Sequence, residues 1–193
     1  MTFAEGSSEE CTLIQRAAAG DASAWEPLVL EYQQAVFRLA WLLLGDADEA
    51  EDVAQETFLR AWRALARFDP ARPMRPWLLS IAANLARNRR RSAGRYVSAL
   101  MRAFREAPRS ILLEETSTQH ADAAALWQAV HHLDLRDQQI VYLRYFLDLP
   151  VSETAEVLQV PEGTVKSRLS RALEKLRRII HTDFPVLLEG REA

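Results

Sequence analysis

At 193 residues, with 49% hydrophobic and 26% charged side chains, the chain has the length for one domain or two small ones and is too apolar for wholesale disorder. The single Cys11 excludes an internal disulfide, and one thiol with four scattered histidines offers no metal-ligand spacing, so neither metal nor cofactor is expected. The net charge of −3 argues against a nucleic-acid partner only if it is evenly spread, and it is not.

Apolar residues recur at three- and four-residue steps throughout, β-branched runs are absent and glycine is scarce, which predicts an all-α fold. A first helix is expected over 9–19, closed by Gly20. Asp21 can cap the second, whose inward face is Trp25, Leu28, Val29, Tyr32, Val36, Leu39, Ala40 and Leu43, until Gly45 stops it. Asp46 opens the third, DADEAEDVAQETFLRAWRAL, with acidic residues in the first turn, where the helix dipole favours them. Three prolines (Pro70, Pro73, Pro76) stiffen the loop 68–76, and Pro76 suits the first turn of a fourth helix, in which Trp77, Ile81 and Leu85 are expected to point inward. From 92 to 120 the rhythm weakens around Gly94 and Pro108, which reads as a flexible linker with a short helix near 97–105. Four more helices are expected over 121–133, 136–147, 151–158 and 162–181. The expected division is an N-terminal domain over 1–92, a linker over 93–120 and a C-terminal domain over 121–193. No run approaches the roughly 20 apolar residues of a membrane span, and the start MTFAEGSSEE lacks the order of a signal peptide, so a cytoplasmic protein without membrane insertion is expected.

Charge is blocked along this frame. Residues 1–59 carry 2 basic and 12 acidic side chains, 60–109 carry 13 and 2, 110–160 carry 2 and 8, and 161–193 carry 7 and 5. Two basic blocks separated by an acidic one fit two DNA-facing surfaces; the plainer alternative is arginine-rich helix faces that are merely solvated.

Three constellations sharpen the first reading. The segment 151–178, VSETAEVLQVPEGTVKSRLSRALEKLRR, has a short helix, a tight turn and a longer basic helix, the pattern of a helix-turn-helix. Val165, Leu169, Leu173 and Leu176 form its inward stripe, leaving Thr164, Lys166, Ser167, Arg168 and Arg171 for a major groove, where arginine reads guanine through two hydrogen bonds. On the third helix, Val53, Phe58, Ala61, Trp62 and Leu65 face inward, while Asp52, Gln55, Glu56 and Leu59 place one leucine among acidic and amide groups, a composition suited to docking a protein. In the third, Asn84, Arg87, Asn88 and Arg91 recur on one face of the fourth helix and can grip phosphates, with the stiff loop presenting Arg72, Met74 and Arg75 to an unstacked base. Paired carboxylates in an apolar pocket, a nucleophile with its base and a phosphate-cradling glycine loop are all missing, so no catalysis is expected.

In this order, Asp48-Glu49-Ala50-Glu51-Asp52 with Gln55-Glu56-Thr57-Phe58 and Ala61-Trp62, then Trp77 through Ile81-Ala82 to Asn84, then Glu162 to Arg168 with Arg171-Ala172, resemble the two domains of extracytoplasmic-function (ECF) sigma factors of the sigma-70 family. The resemblance covers about residues 10–92 and 121–181. It implies a transcription-initiation subunit that binds core RNA polymerase and promoter DNA. The helix with Asp52, Gln55, Glu56 and Leu59 would dock on the clamp helices of the largest subunit. Arg72, Met74, Arg75, Trp77, Asn84, Arg87, Asn88 and Arg91 would read and open the minus-ten element. Thr164, Lys166, Ser167, Arg168 and Arg171 would read the minus-thirty-five element, with the C-terminal domain also touching the polymerase flap. An anti-sigma factor is a candidate partner whose existence the sequence leaves open. The rival reading is a stand-alone helix-turn-helix regulator, which leaves the third helix and the stiff loop unexplained. Gln159 stands where such proteins frequently carry glycine, so a positive φ at that turn would strain it.

Overall fold

The computed structural model of the chain describes residues 8–103 and 118–189, which are helical without a strand. The order is α1 (Ser8–Ala18), α2 (Ala22–Leu44), α3 (Ala47–Ala64), a 3₁₀ turn (Leu65–Arg67), α4 (Met74–Ala103), α5 (Thr118–His131), α6 (Leu135–Val141), a π turn (Tyr142–Phe146), α7 (Val151–Leu158), α8 (Glu162–Asp183) and α9 (Val186–Glu189).

The first four helices close around α2. Asp21 caps α2 by accepting from the Ser23 amide at 3.0 Å and the Ser23 hydroxyl at 2.6 Å, and Arg16 bridges to its other oxygen at 2.7 Å. The hydrogen bond from Ser23, then that from Arg16, lowers the Asp21 carboxyl to about 2. Gly45 ends α2 at φ 74°, its N–H donating to Trp41 O, and Asp46 caps α3 through the Glu49 amide at 2.9 Å. Leu28, Tyr32, Val36, Leu39, Ala40 and Leu43 are buried as their spacing predicts, whereas Trp25 is half-buried, its ring edge against Phe58 and tilted on Trp62. The hydroxyl of Tyr32 donates to the buried Glu10 carboxylate at 2.6 Å, which meets part of the hydrogen-bonding demand of a carboxylate in the core.

Helix α4 buries more of its surface than its sequence pattern predicts. The residues expected inward, Trp77, Ile81 and Leu85, do pack against the core but stay half-buried, while Leu78, Leu79, Ala82, Ala83 and Ala86 beside them are fully buried. The cause is that α4 is packed on two sides, by α2 and α3 and by α7, so small residues on its flanks are covered by close backbone approach. The helix also runs 30 residues, through Gly94 to Ala103, into the stretch read as linker. The rest of that stretch, 104–117, lies outside the described residues.

In the C-terminal helices, Asp134 caps α6 through the amides of Arg136 and Asp137, at 3.1 and 3.0 Å. Lys175 from α8 reaches Asp137 at 2.5 Å and Asp134 at 3.1 Å, countering a carboxylate that is 7% exposed. The single helix expected over 136–147 is instead α6 followed by the π turn, which turns Tyr142 and Leu143 inward and leaves Tyr145 exposed. Gln159 closes α7 at φ 54° and ψ 46°, the left-handed conformation that glycine adopts without strain. Its N–H donates to Glu156 O, and that of Val160 to Ala155 O, which fixes the turn into α8.

Candidate polymerase and nucleic-acid interfaces

The acidic face of α3 is well exposed: Leu59 keeps 51% of its surface and the Asp52 side chain 63%. Asp52 and Glu49 share one cation from α4, Arg89, at 3.1 and 2.6 Å, so α3 and α4 are locked in register. Beyond Leu59 an open groove between α2 and α3 is lined by Trp25, Leu30, Phe37, Phe58 and Leu59. Leu30 and Phe37 are exposed at 59% and 38% and were not singled out from the sequence. The signal was present as apolar residues seven apart, off the inward stripe of α2.

The stiff loop and α4 carry the second set. Arg72 is exposed and pairs with Glu156 of α7 at 3.3 Å, while Arg75 donates to the Leu147 carbonyl at 2.8 Å. Trp77 stacks on Phe68 with centroids 4.4 Å apart. Met74 is fully buried, as the first residue of α4 and part of the core, so it is not presented to a base as the sequence reading expected. A thioether next to a proline-stiffened turn fills core space more favourably than it sits in water. Asn84, Asn88 and Arg91 are exposed along α4; Asn84 accepts from Arg87, whose other contact is Gln139 of α6 at 3.4 Å. Burial, then the nearby charges of Arg91 and Arg136, pushes the Arg87 guanidinium below its usual pKa. Arg90, which the sequence reading passed over, donates to Leu43 O and to Gln138 Oε1.

On α8, Lys166, Ser167 and Arg171 point to solvent and Thr164 is half-buried. Arg171 donates to Ser167 O at 3.3 Å. Val165 and Ala172 are buried, with Leu169 and Leu176 packed partly against the core, so the helix turns its polar side outward. Arg168 alone of this set is turned toward the N-terminal helices, where it shares a cavity with Arg87, Arg90 and Arg91. Three of the residues expected at DNA, Arg72, Arg75 and Arg87, thus contact the C-terminal helices, and a fourth, Arg168, faces the N-terminal ones. Among the described residues no group of histidine, cysteine and carboxylate side chains is placed to hold a metal, and no helix is long and apolar enough to cross a membrane.

Comparison with known proteins identifies the family. Residues 28–96 match Sigma-70 region 2 and residues 123–176 match Sigma-70 region 4. The chain is 33% identical to the RNA polymerase sigma-H factor of Pseudomonas aeruginosa, over 92% of this chain and 95% of that protein. It is 30% identical to the ECF RNA polymerase sigma factor SigW of Bacillus subtilis, over 86% of this chain and 93% of the relative. It is also 34% identical to the ECF RNA polymerase sigma factor BldN of Streptomyces coelicolor, of whose length it spans 66%. Among solved structures, CnrH in complex with the cytosolic domain of CnrY superposes with a TM-score of 0.68 at 26% identity, covering 91% of this chain and 99% of that one. The Bartonella quintana sigma factor RpoE in complex with the anti-sigma factor NepR shares the fold, with a TM-score of 0.66 at 23% identity over 82% of this chain and 97% of that one. With both regions present in order on an all-helical frame, the chain belongs to the ECF sigma factors of the sigma-70 family, which are transcription factors and not enzymes.

Proposed function

We propose that this chain is a dissociable promoter-recognition subunit that binds core RNA polymerase, reads the minus-thirty-five and minus-ten elements and promotes initiation in the cytoplasm. The observation that carries the reading is the division of surfaces: an acidic face with an exposed leucine on α3 and a basic, polar face on α8, placed on separate helices of one chain. In this reading Asp52, Gln55, Glu56 and Leu59 dock on the clamp helices of the largest subunit. Lys166, Ser167, Arg168 and Arg171, with Thr164 at the helix start, enter the major groove of the upstream element. Arg72, Arg75, Asn84, Arg87, Asn88 and Arg91 hold the minus-ten strand, with Trp77 supporting the loop from within. The domains act as 1–92 and 121–193, the second also meeting the flap, joined through 93–120.

Promoter engagement requires the two halves to part, because Arg72, Arg75, Arg87 and Arg168 face the opposite half in the packed arrangement. A protein that holds them together would silence the factor, and an anti-sigma factor is the partner proposed for that role.

The test is run-off transcription from genomic fragments with purified core polymerase. Discrete start sites that depend on the added chain are expected, and none at any fragment would sink the reading. The double variant Gln55→Ala, Glu56→Ala should lose at least tenfold in core affinity while keeping its helical circular dichroism. A chain that bound promoters alone and failed to co-elute with core would be a stand-alone regulator.

A further inference from the structure

Five guanidinium groups from both halves of the molecule line one cavity of about 300 Å³: Arg87, Arg90 and Arg91 from α4, Arg136 from α6 and Arg168 from α8. Its other walls are Leu43, Ala86, Leu135, Gln139 and Leu158, so the lining holds no carboxylate. The described partners of these arginines carry no charge either. Arg87 is held by Asn84 and Gln139, and Arg90 by the Leu43 carbonyl and Gln138. Two other cations on packed faces are matched by carboxylates: Arg89 sits between Glu49 and Asp52, and Lys175 between Asp134 and Asp137. Here like charges converge: burial first, and then the charges of Arg91 and Arg136, depress the Arg87 pKa. Leucine walls keep the local dielectric low and concentrate the field of these cations in the concavity.

We propose that this cavity binds a small multivalent phosphate anion, an inorganic chain of two or three phosphates or the phosphate tail of a nucleotide, which ties the two halves together. Guanidinium forks pair with phosphate oxygens two at a time, which suits several arginines to several linked phosphates better than to a single halide or carboxylate. At the small end of ligand-pocket sizes, roughly 300–1,000 Å³, the cavity admits a short phosphate chain and not a duplex. Bound there, the anion occupies Arg87, Arg91 and Arg168 and holds α4 against α6 and α8. The site itself stands without the promoter reading; only the consequence that the anion competes with promoter DNA rests on it.

The test is calorimetric titration of the full chain, without DNA or polymerase, with sodium tripolyphosphate, ATP and, at matched ionic strength, sodium sulfate. One site is expected, at least tenfold tighter for tripolyphosphate or ATP than for sulfate, with the thermal midpoint rising as ligand is added. Tighter binding of ATP assigns the nucleotide tail, and tighter binding of tripolyphosphate the inorganic chain. Arg136→Gln, an exposed position outside the promoter surfaces, should weaken binding at least tenfold with an unchanged ligand-free midpoint, and Arg91→Gln should do the same should that variant unfold. Sulfate binding as tightly as both phosphates, or equal affinity for the wild type and both variants, overturns the proposal. Because polymerase is absent, this failure would leave the promoter reading standing, and failure of run-off transcription would leave the anion site standing.

Discussion

Trp41 of α2 and Trp127 of α5 stack with ring centroids 5.3 Å apart and planes 19° from parallel, an aromatic contact between the two halves of the chain. Trp127 also meets Tyr142 at 5.7 Å, Phe146 at 6.0 Å and His131 at 4.5 Å, so it is fixed within the C-terminal helices. Trp41 remains 39% exposed on α2. Polar ties also cross the boundary: Arg75 to the Leu147 carbonyl at 2.8 Å, Arg72 to Glu156 at 3.3 Å, and Arg87 to Gln139 and Arg90 to Gln138 at 3.4 Å. An aromatic pair contributes about 0.5–1.5 kcal/mol beyond its buried area, whereas an exposed ion pair contributes about 0–1 kcal/mol. Trp41→Ala should therefore open the packed arrangement more than Arg72→Ala does. Small-angle scattering should show a larger radius of gyration for the tryptophan variant, and near-ultraviolet circular dichroism should lose the paired-indole signal. Equal radii for the wild type and Trp41→Ala would assign the closure to other contacts.

Arg168 tests base reading on α8. Arginine paired with guanine through two hydrogen bonds contributes about 1–3 kcal/mol of discrimination, while a phosphate contact weakens all sequences alike. With holoenzyme on a promoter library, Arg168→Ala should relax the preference at one upstream base pair and leave core affinity unchanged. Lys166→Ala should instead lower binding uniformly and reduce its salt dependence. A uniform loss for Arg168→Ala would place that side chain at the backbone.

Asp21 links cap chemistry to acid stability. Its carboxyl is held at about 2 in the folded chain, below its ordinary value of 3.8, by the Ser23 hydroxyl and Arg16. A folded pKa below the unfolded one means that the cap contributes its full stabilisation above about pH 4 and loses it as pH falls toward 2. Asp21→Asn should lower the thermal midpoint at pH 6 and converge on the wild type near pH 2. A gap between the two proteins that stayed constant from pH 6 to pH 2 would show that the carboxylate charge is not what stabilises the cap.

Element types were legible because they follow from local chemistry. Asp21 and Asp46 cap helices, Gly45 ends one in the left-handed region, and the spacing of Leu28, Tyr32, Val36 and Leu39 marks a buried face. What periodicity does not carry is which surface meets another. Helix α4 is covered on two sides, so Ala82, Ala83 and Ala86 vanish from solvent although alanine gives no sign of it in the sequence. Met74 reads as a loop residue and is core. Arg168 reads as one of five outward groups and turns to a cavity shared with α4, because the packing of α7 on α4 brings the start of α8 to that side. A charge pattern shows that arginines are grouped, not that two groups from distant segments face each other.

Two residues outside glycine hold positive φ among those described, Asp148 at 52° and Gln159 at 54°, and they offer an internal comparison of strain. The left-handed region costs a residue with a Cβ about 1–2 kcal/mol, and aspartate less, because its short side chain can bond locally to the backbone. Glycine relieves that strain but gains freedom in the unfolded chain, which offsets roughly 0.5–1 kcal/mol. The balance favours substitution at Gln159, whose side chain is exposed, and is close to neutral at Asp148. Gln159→Gly should raise stability by about 0.5 kcal/mol in urea denaturation at an unchanged slope, with Asp148→Gly giving less. Because Gln159 sets the angle between α7 and α8, the same variant should leave promoter preference intact if relief of strain is all that changes. A destabilised Gln159→Gly would mean that the side chain holds the turn through contacts that outweigh its backbone cost.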